Sequence, residues 1–174
     1  MPRRLESVMR IGRRIGLSDE KGVAAAVFIA LIIVVSVVAA YYLWLAPPPE
    51  EYNVINLLDS QMQASNYPEV LVANQNSTFT VYVNVENHMN SDQSYRVLTK
   101  ITKNLPANFP DGLPVDPVNT YDLNLAKGVS HQDAVTVSMN ELGSYSVVFE
   151  LWRFESGNWM FTNNYCVLNI QVIS

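Results

Sequence analysis

The sequence is poor in the residues that covalent scaffolding and most catalysis require. It holds one cysteine, Cys166, so no disulfide can form within the chain, and no CxxC pair exists to hold zinc. It holds two histidines, His88 and His131, in no HxxH or HxH spacing. A metal site would need them to meet in space, with Glu86 or Asp133 beside them. Glycine is scarce beyond the first 22 residues: Gly112, Gly128, Gly143 and Gly157 are all that remain. No glycine-rich phosphate loop and no G-x-S-x-G nucleophile turn can be built from them. The carboxylates are scattered through turns without the spacing of a calcium loop. The residues therefore assign no catalytic group, no cofactor and no metal, and the expectation is a protein that is not an enzyme.

Charge is missing altogether from residues 23–46, VAAAVFIALIIVVSVVAAYYLWLA. As a helix rising about 1.5 Å per residue, such a run spans a bilayer core of about 30 Å with some tilt. Tyr41, Tyr42 and Trp44 gather at its end like an interfacial aromatic belt, and Pro47, Pro48 and Pro49 stop the helix. Ser18, Asp19 and Glu20 offer an N-cap and an acidic first turn.

The charge on either side is lopsided. Residues 1–22 carry six basic and three acidic side chains, a net of +3, and residues 47–174 carry five and thirteen, a net of −8; together these give the overall −5. Basic residues crowd one flank, and the next one past the apolar run is Arg96. The positive-inside rule then puts the N-terminus in the cytoplasm and residues 50–174 outside, in a single-pass membrane protein. The apolar run exceeds the ~7–15 residues of a secretory h-region, which favours an uncleaved anchor. The acidic outer part argues against nucleic acid as a partner.

Two smaller patterns flank the span. Leu5, Val8, Gly12 and Ile15 recur at helical spacing among arginines, either as a short helix on the inner leaflet or as a basic tail that sets topology. Gly22, Ala26 and Ala30 form a small-xxx-small ridge, the kind that lets a second helix approach, so homo-oligomerisation through the membrane helix is one expectation. The domain plan is a basic cytoplasmic segment at 1–18, a transmembrane helix at 19–46, a proline-rich spacer at 47–51 and an extracytoplasmic domain at 52–174.

In that outer domain the pattern changes to period two. Phe79, Val81, Val83 and Val85 alternate with polar residues, as do Tyr95, Val97, Thr99 and Ile101, then Val135, Val137 and Met139. Tyr145, Val147, Phe149 and Leu151 follow, and Cys166, Leu168, Ile170 and Val172 come last. Each run predicts a half-buried strand. Residues 52–58 and 120–125 add two more, and ESGN at 155–158 predicts a tight turn between the last long strands. The sum is a mainly β fold: an antiparallel immunoglobulin-like sandwich of about seven or eight strands. Cys166 is expected as a packed thiol on an inward face.

Three features stand apart from the strands. Pro106, Pro110, Pro114 and Pro117 forbid ladder pairing across 104–118, so a long loop is expected there. Its Phe109 and Leu113 either form an apolar contact tip or pack the loop onto the sheet edge. Asn76-Ser77-Thr78 is a glycosylation sequon at the head of a strand. Asn87-His88 ends a strand; Asn87 tolerates left-handed geometry and can bond its own turn, and His88 reads as a structural corner that hydrogen-bonds the loop.

Residues 64–89, ASNYPEVLVANQNSTFTVYVNVENHM, resemble the central motif of an archaeal membrane-protein family catalogued as domain of unknown function 1616. Ala64, Tyr67, Pro68, Asn87 and His88 match its Ala-x-x-Tyr-Pro and Asn-His elements, while Met89 stands where the family has glutamate. Residues 143–152 and 164–172 resemble its closing strands, so the resemblance spans 52–173. It implies an archaeal surface protein with an extracytoplasmic sandwich and implies no activity. The family often has several membrane helices, whereas one apolar span is present here. Separately, Lys21-Gly22 before the apolar run resembles the processing site of archaeal type IV pilins, with Val27 where bacterial-type pilins carry glutamate.

Two functions follow as expectations. One is a membrane-anchored interaction or structural module that binds a cell-surface protein or joins a membrane complex. The other is a pilin-like filament subunit cleaved after Gly22.

Overall fold

The computed structural model describes residues 20–47 and 50–174. The expected basic segment 1–18, its apolar stripe, the cap at Ser18 and Asp19, and Pro48 and Pro49 lie outside the described residues. The chain divides into two units, Met1–Pro49 and Glu50–Ser174.

The described part of the first unit is helix α1 (Glu20–Ala40), followed by a wider π-helical turn at Tyr41–Leu45. That turn closes with the Ala46 N–H donating to the Tyr41 carbonyl at 2.7 Å. Residues from Gly22 to Leu45 are apolar over a length that can cross a membrane, and none of this stretch is buried within the protein. Its one hydroxyl outside the aromatic end, Ser36 Oγ, donates to the Ile32 carbonyl at 2.7 Å. In hydrocarbon, where water offers no partner, that internal bond removes the cost of the hydroxyl.

The second unit is a sandwich of eight strands in two sheets. β1 (Asn53–Leu58), β3 (Thr78–Asn87) and β6 (Ser130–Ser138) form one sheet in the order β1-β3-β6. The other sheet combines β2 (Val70–Val72), β4 (Gln93–Thr102), β5 (Asn119–Leu125), β7 (Gly143–Glu155) and β8 (Asn158–Ile173), in the order β2-β8-β7-β4-β5. The architecture is mainly β and immunoglobulin-like. One expectation is corrected: the sheets are not antiparallel throughout, because β2 runs parallel to β8, with Leu71 opposite Val172. Three residues are too few to show alternation, so β2 left no period in the sequence.

The period-two residues fill the space between the sheets. Val81, Val83 and Val85 of β3 meet Tyr95 and Val97 of β4, Val147, Phe149 and Leu151 of β7, and Leu168, Ile170 and Val172 of β8 in one buried cluster. Each such side chain contributes about 1.5–3 kcal/mol by leaving water. The half-buried Cys166 packs against this cluster, and burial raises its thiol pKa, which keeps it protonated and unreactive. The β7–β8 hairpin closes on Ser156 and Gly157, both at positive φ (52° and 87°), the twist a two-residue hairpin requires.

A second, smaller core lies on the opposite face of the five-stranded sheet, the face turned away from β1, β3 and β6. Residues 104–118 cross that face as a strap. Phe109, Leu113 and Val148 are buried together there, with Val115, Phe161 and Val167 around them. Phe109 and Leu113 are therefore not an exposed contact tip. They hold the strap onto the sheet, over its face and not along its edge.

The strap turns at Phe109-Pro110-Asp111-Gly112, where the Gly112 N–H donates to the Phe109 carbonyl at 3.0 Å. Gly112 has φ +85°, and a Cβ there would stand 2.5 Å from Cζ2 of Trp152. Gly112→Ala combines backbone strain with overpacking against an indole. It should cost about 2–3 kcal/mol, read as a lowered urea midpoint. An unchanged midpoint would show that the strap is not seated on Trp152.

Candidate functional site

The expected site residues are placed as follows. Gly22, Ala26 and Ala30 fall four residues apart on α1 and so share one stripe of it. Asn76 is exposed in the turn between β2 and β3, which closes by paired bonds between the Val72 and Asn76 backbones at 2.9 and 3.0 Å. The two histidines do not come together into a metal site. His88 Nε2 lies 2.9 Å from Glu86 Oε2, and His131 Nε2 lies 3.0 Å from Asp133 Oδ2. Each is paired with a carboxylate two residues away in the chain. Among the described residues, no group of three His, Cys, Asp or Glu side chains is set to hold a metal ion. The ring of Tyr52 stacks on His88 at 4.4 Å, so this histidine packs a corner.

Asn87 bonds its own turn, as expected, through the Met89 N–H, but its backbone is not left-handed and its side chain reaches further. It is fully buried. Its amide nitrogen donates to the carbonyls of Ser91 (3.0 Å), Leu125 (3.0 Å) and Ala126 (3.2 Å). Its Oδ1 accepts from the Met89 N–H and from the Tyr95 hydroxyl, both at 3.0 Å. One side chain thus ties the ends of β3, β4 and β5. Tyr95 also reaches Asn53 Oδ1 at 2.5 Å, and burial pushes its hydroxyl pKa up to about 12.

A buried ion pair lies under the strap. Glu150 is fully buried and Lys100 nearly so, with Nζ 2.9 Å from Glu150 Oε2. The pair also grips the strap's backbone: Lys100 donates to the Leu113 carbonyl at 2.7 Å, and Leu113 N–H donates to Glu150 Oε1 at 2.5 Å. Trp152 Nε1 donates to Glu150 Oε2 at 2.9 Å. All four contacts are internal, so the arrangement is a clamp with no room for a substrate.

Beyond the strap the same face is open, and it is aromatic. Cross-strand register puts Trp152 opposite Phe161 and Phe154 opposite Trp159. Phe154 stays exposed, at 45%, and Tyr165 lies 42% exposed beside Phe109. The guanidinium of Arg96 sits 4.2 Å from the Trp159 ring centroid and binds Asp122 through two bonds of 2.7 Å. These bonds hold the Asp122 carboxyl below its ordinary pKa, and the Arg96 guanidinium above its own.

Next to this pair is a depression of about 250 Å³, lined by Ser94, Asp122, Asn124, Phe154 and Trp159, with Tyr95 and Leu123 beneath. The sequence showed the aromatic residues of this hairpin but not their grouping, which depends on β4 lying between β7 and β5. Another groove, at the other end of the sheet between Pro68, Glu69 and Lys103, is floored by hydroxyl and amide side chains such as Ser144, Ser146 and Asn169.

No family model matches the chain, and no curated protein matches it. Among solved structures, it is similar to the CARDB domain of the PF1109 protein from Pyrococcus furiosus, in complex with di-metal ions. The two share 12% identity at a TM-score of 0.47, over 72% of this chain and 90% of that one. A β-glucosidase from Listeria innocua in complex with glucose is similar at 11% identity and a TM-score of 0.47, over 70% of this chain and 16% of the enzyme. The native conformation of E. coli alpha-2-macroglobulin gives 13% identity and a TM-score of 0.42, over 70% of this chain and 6% of the larger protein. Likeness at this level concerns the fold alone and says nothing of chemistry.

Proposed function

We propose that this chain is a membrane-anchored, non-enzymatic interaction module. Its N-terminus lies in the cytoplasm, and its sandwich stands outside the cell. There it engages a cell-surface protein or a membrane complex through the aromatic end of the five-stranded sheet. The observation that carries the reading is the exposure of α1. Val27, Phe28, Ile29 and Leu31 are each more than half exposed, a state a helix in water does not sustain without a hydrocarbon environment or a partner. The open surface of the sandwich supports the second half of the proposal, because aromatic residues and arginine are the types that dominate binding energy at interfaces. In this reading Gly22, Ala26 and Ala30 are the stripe on which a second helix packs within the bilayer.

The test has two parts. The native chain should resist alkaline extraction from membranes, and protease added to intact cells should remove residues 50–174 while sparing the N-terminus. Release at alkaline pH would sink the anchor. A mature chain that begins at Val23 would replace it with the filament-subunit reading.

A further inference from the structure

The depression beside Trp159 has two unlike walls. One is aromatic, formed by Phe154 and Trp159, whose rings meet edge to face at 5.2 Å. The other is polar and planar, formed by the Asp122 carboxylate and the Asn124 amide. The floor is low because a small residue, Ser94, lies directly opposite Asn124 in the ladder. Its hydroxyl donates to Asn124 Oδ1 at 2.6 Å, which fixes the amide and leaves its nitrogen as a donor. Arg96 fixes the carboxylate in the same way, with one bond to each oxygen, and further lone pairs remain on both.

Charge narrows the choice of ligand. Among the residues that line it Asp122 alone is charged, and Arg96 neutralises it from beside the depression, so little is offered to an ion. Its volume of about 250 Å³ is too small for a folded protein element and suits one six-membered ring. A pyranose has the matching asymmetry. Its axial C–H groups form an apolar face that stacks on an aromatic ring, and its equatorial hydroxyls both donate and accept. A carboxylate and an amide held side by side satisfy adjacent hydroxyls, each exchanging bonds in a fixed direction. A purely apolar ligand would leave Asp122 and Asn124 desolvated without partners, at a net loss.

We infer that the depression bounded by Phe154, Trp159, Asp122 and Asn124 is a binding site for a neutral pyranose sugar, one unit of a cell-surface glycan. The inference rests on the interaction reading above and specifies what the partner presents at this surface. The sugar stacks on the aromatic wall, and two neighbouring hydroxyls bond to Asp122 and Asn124.

The experiment uses the full chain in a phosphocholine detergent, which carries no sugar headgroup. The probes are the methyl glycosides of D-glucose, D-mannose, D-galactose and N-acetyl-D-glucosamine, titrated while the indole N–H signals of Trp152 and Trp159 are followed by NMR. At least one probe should move the Trp159 signal saturably, with a Kd on the order of 1 mM, and move Trp152 far less. Trp159→Ala and Asn124→Ala should each weaken that binding about tenfold or more, the equivalent of one hydrogen-bonded or stacked contact. Both residues lie at the surface, and unchanged unfolding midpoints in the two variants would show that the loss is local. No saturable response at Trp159 to any probe, or equal affinity in the Asn124→Ala variant, would overturn the inference. A photo-cross-linker in place of the exposed Tyr165, on the same face, separates this failure from failure of the wider reading. A captured protein partner together with sugar silence would leave the interaction module standing without its glycan.

Discussion

Replacing Asn87 with aspartate should remove about 3–5 kcal/mol from the stability of the sandwich. The amide nitrogen of Asn87 points at three backbone carbonyls, of Ser91, Leu125 and Ala126. Aspartate would turn an oxygen toward them and place a charge at a site with no exposure. Protonation of the new carboxyl would relieve only part of this, since one O–H cannot serve three acceptors. Asn87→Ala should cost less, about 2–4 kcal/mol, because it leaves the carbonyls and the Met89 N–H unsatisfied without adding repulsion. Tyr95 retains Asn53 as an acceptor in either variant. Equilibrium urea unfolding of the chain, followed by its β-sheet signal, gives both numbers. Equal stability of the wild type and the aspartate variant would mean that the three carbonyls find water in the native state.

Glu150→Ala should cost a similar amount, about 3–5 kcal/mol, through a different route. It strands the ammonium of Lys100 in a nearly closed site, and it removes the acceptor of the Leu113 N–H and of the Trp152 indole. The strap then loses the attachment of its Leu113 N–H while keeping the bond from Lys100 to the Leu113 carbonyl and that from the Val118 N–H to the Thr99 carbonyl. Cleavage within 104–118 by a nonspecific protease should therefore accelerate well before the sandwich unfolds. The double replacement Lys100→Met with Glu150→Leu should recover much of the lost stability, because apolar residues of similar volume remove the desolvation penalty together with the pair. A double variant as unstable as Glu150→Ala would show that the geometry of the clamp outweighs its charges.

The period-two residues made the larger core legible in advance. Valines 81, 83 and 85 could face one way only, and the strands around them followed. The strap was half legible. Four prolines announced a loop, but nothing in them said that it lies flat on a sheet. The signal was elsewhere, in the run Val147-Val148-Phe149 of β7, whose contiguous apolar side chains require cover on both faces. Glu150 hid the same message, since a lone carboxylate reads as solvent-facing until its lysine partner, fifty positions earlier, is placed beside it. Asn87 was noticed for its place at a strand end and for the bond to its own turn, which it makes, while its reach to three chain segments was not legible. A residue at a turn and a residue that binds three chain segments look alike until those segments are known. The open aromatic end depends on strand order, which alternation does not encode.

The place of β8 within its sheet has a bearing on biosynthesis. This strand is flanked on both sides, by β2 through a parallel ladder and by β7 through an antiparallel one. It supplies Leu168, Ile170 and Val172 to the main core and Val167 to the cover under the strap. A ribosome that has completed β7 has therefore produced a sheet with a bare central edge and an unfilled interior. The sandwich cannot close piecemeal as the chain emerges; it waits for its final strand. Nascent chains stalled before residue 158 should present that edge to chaperones and to one another.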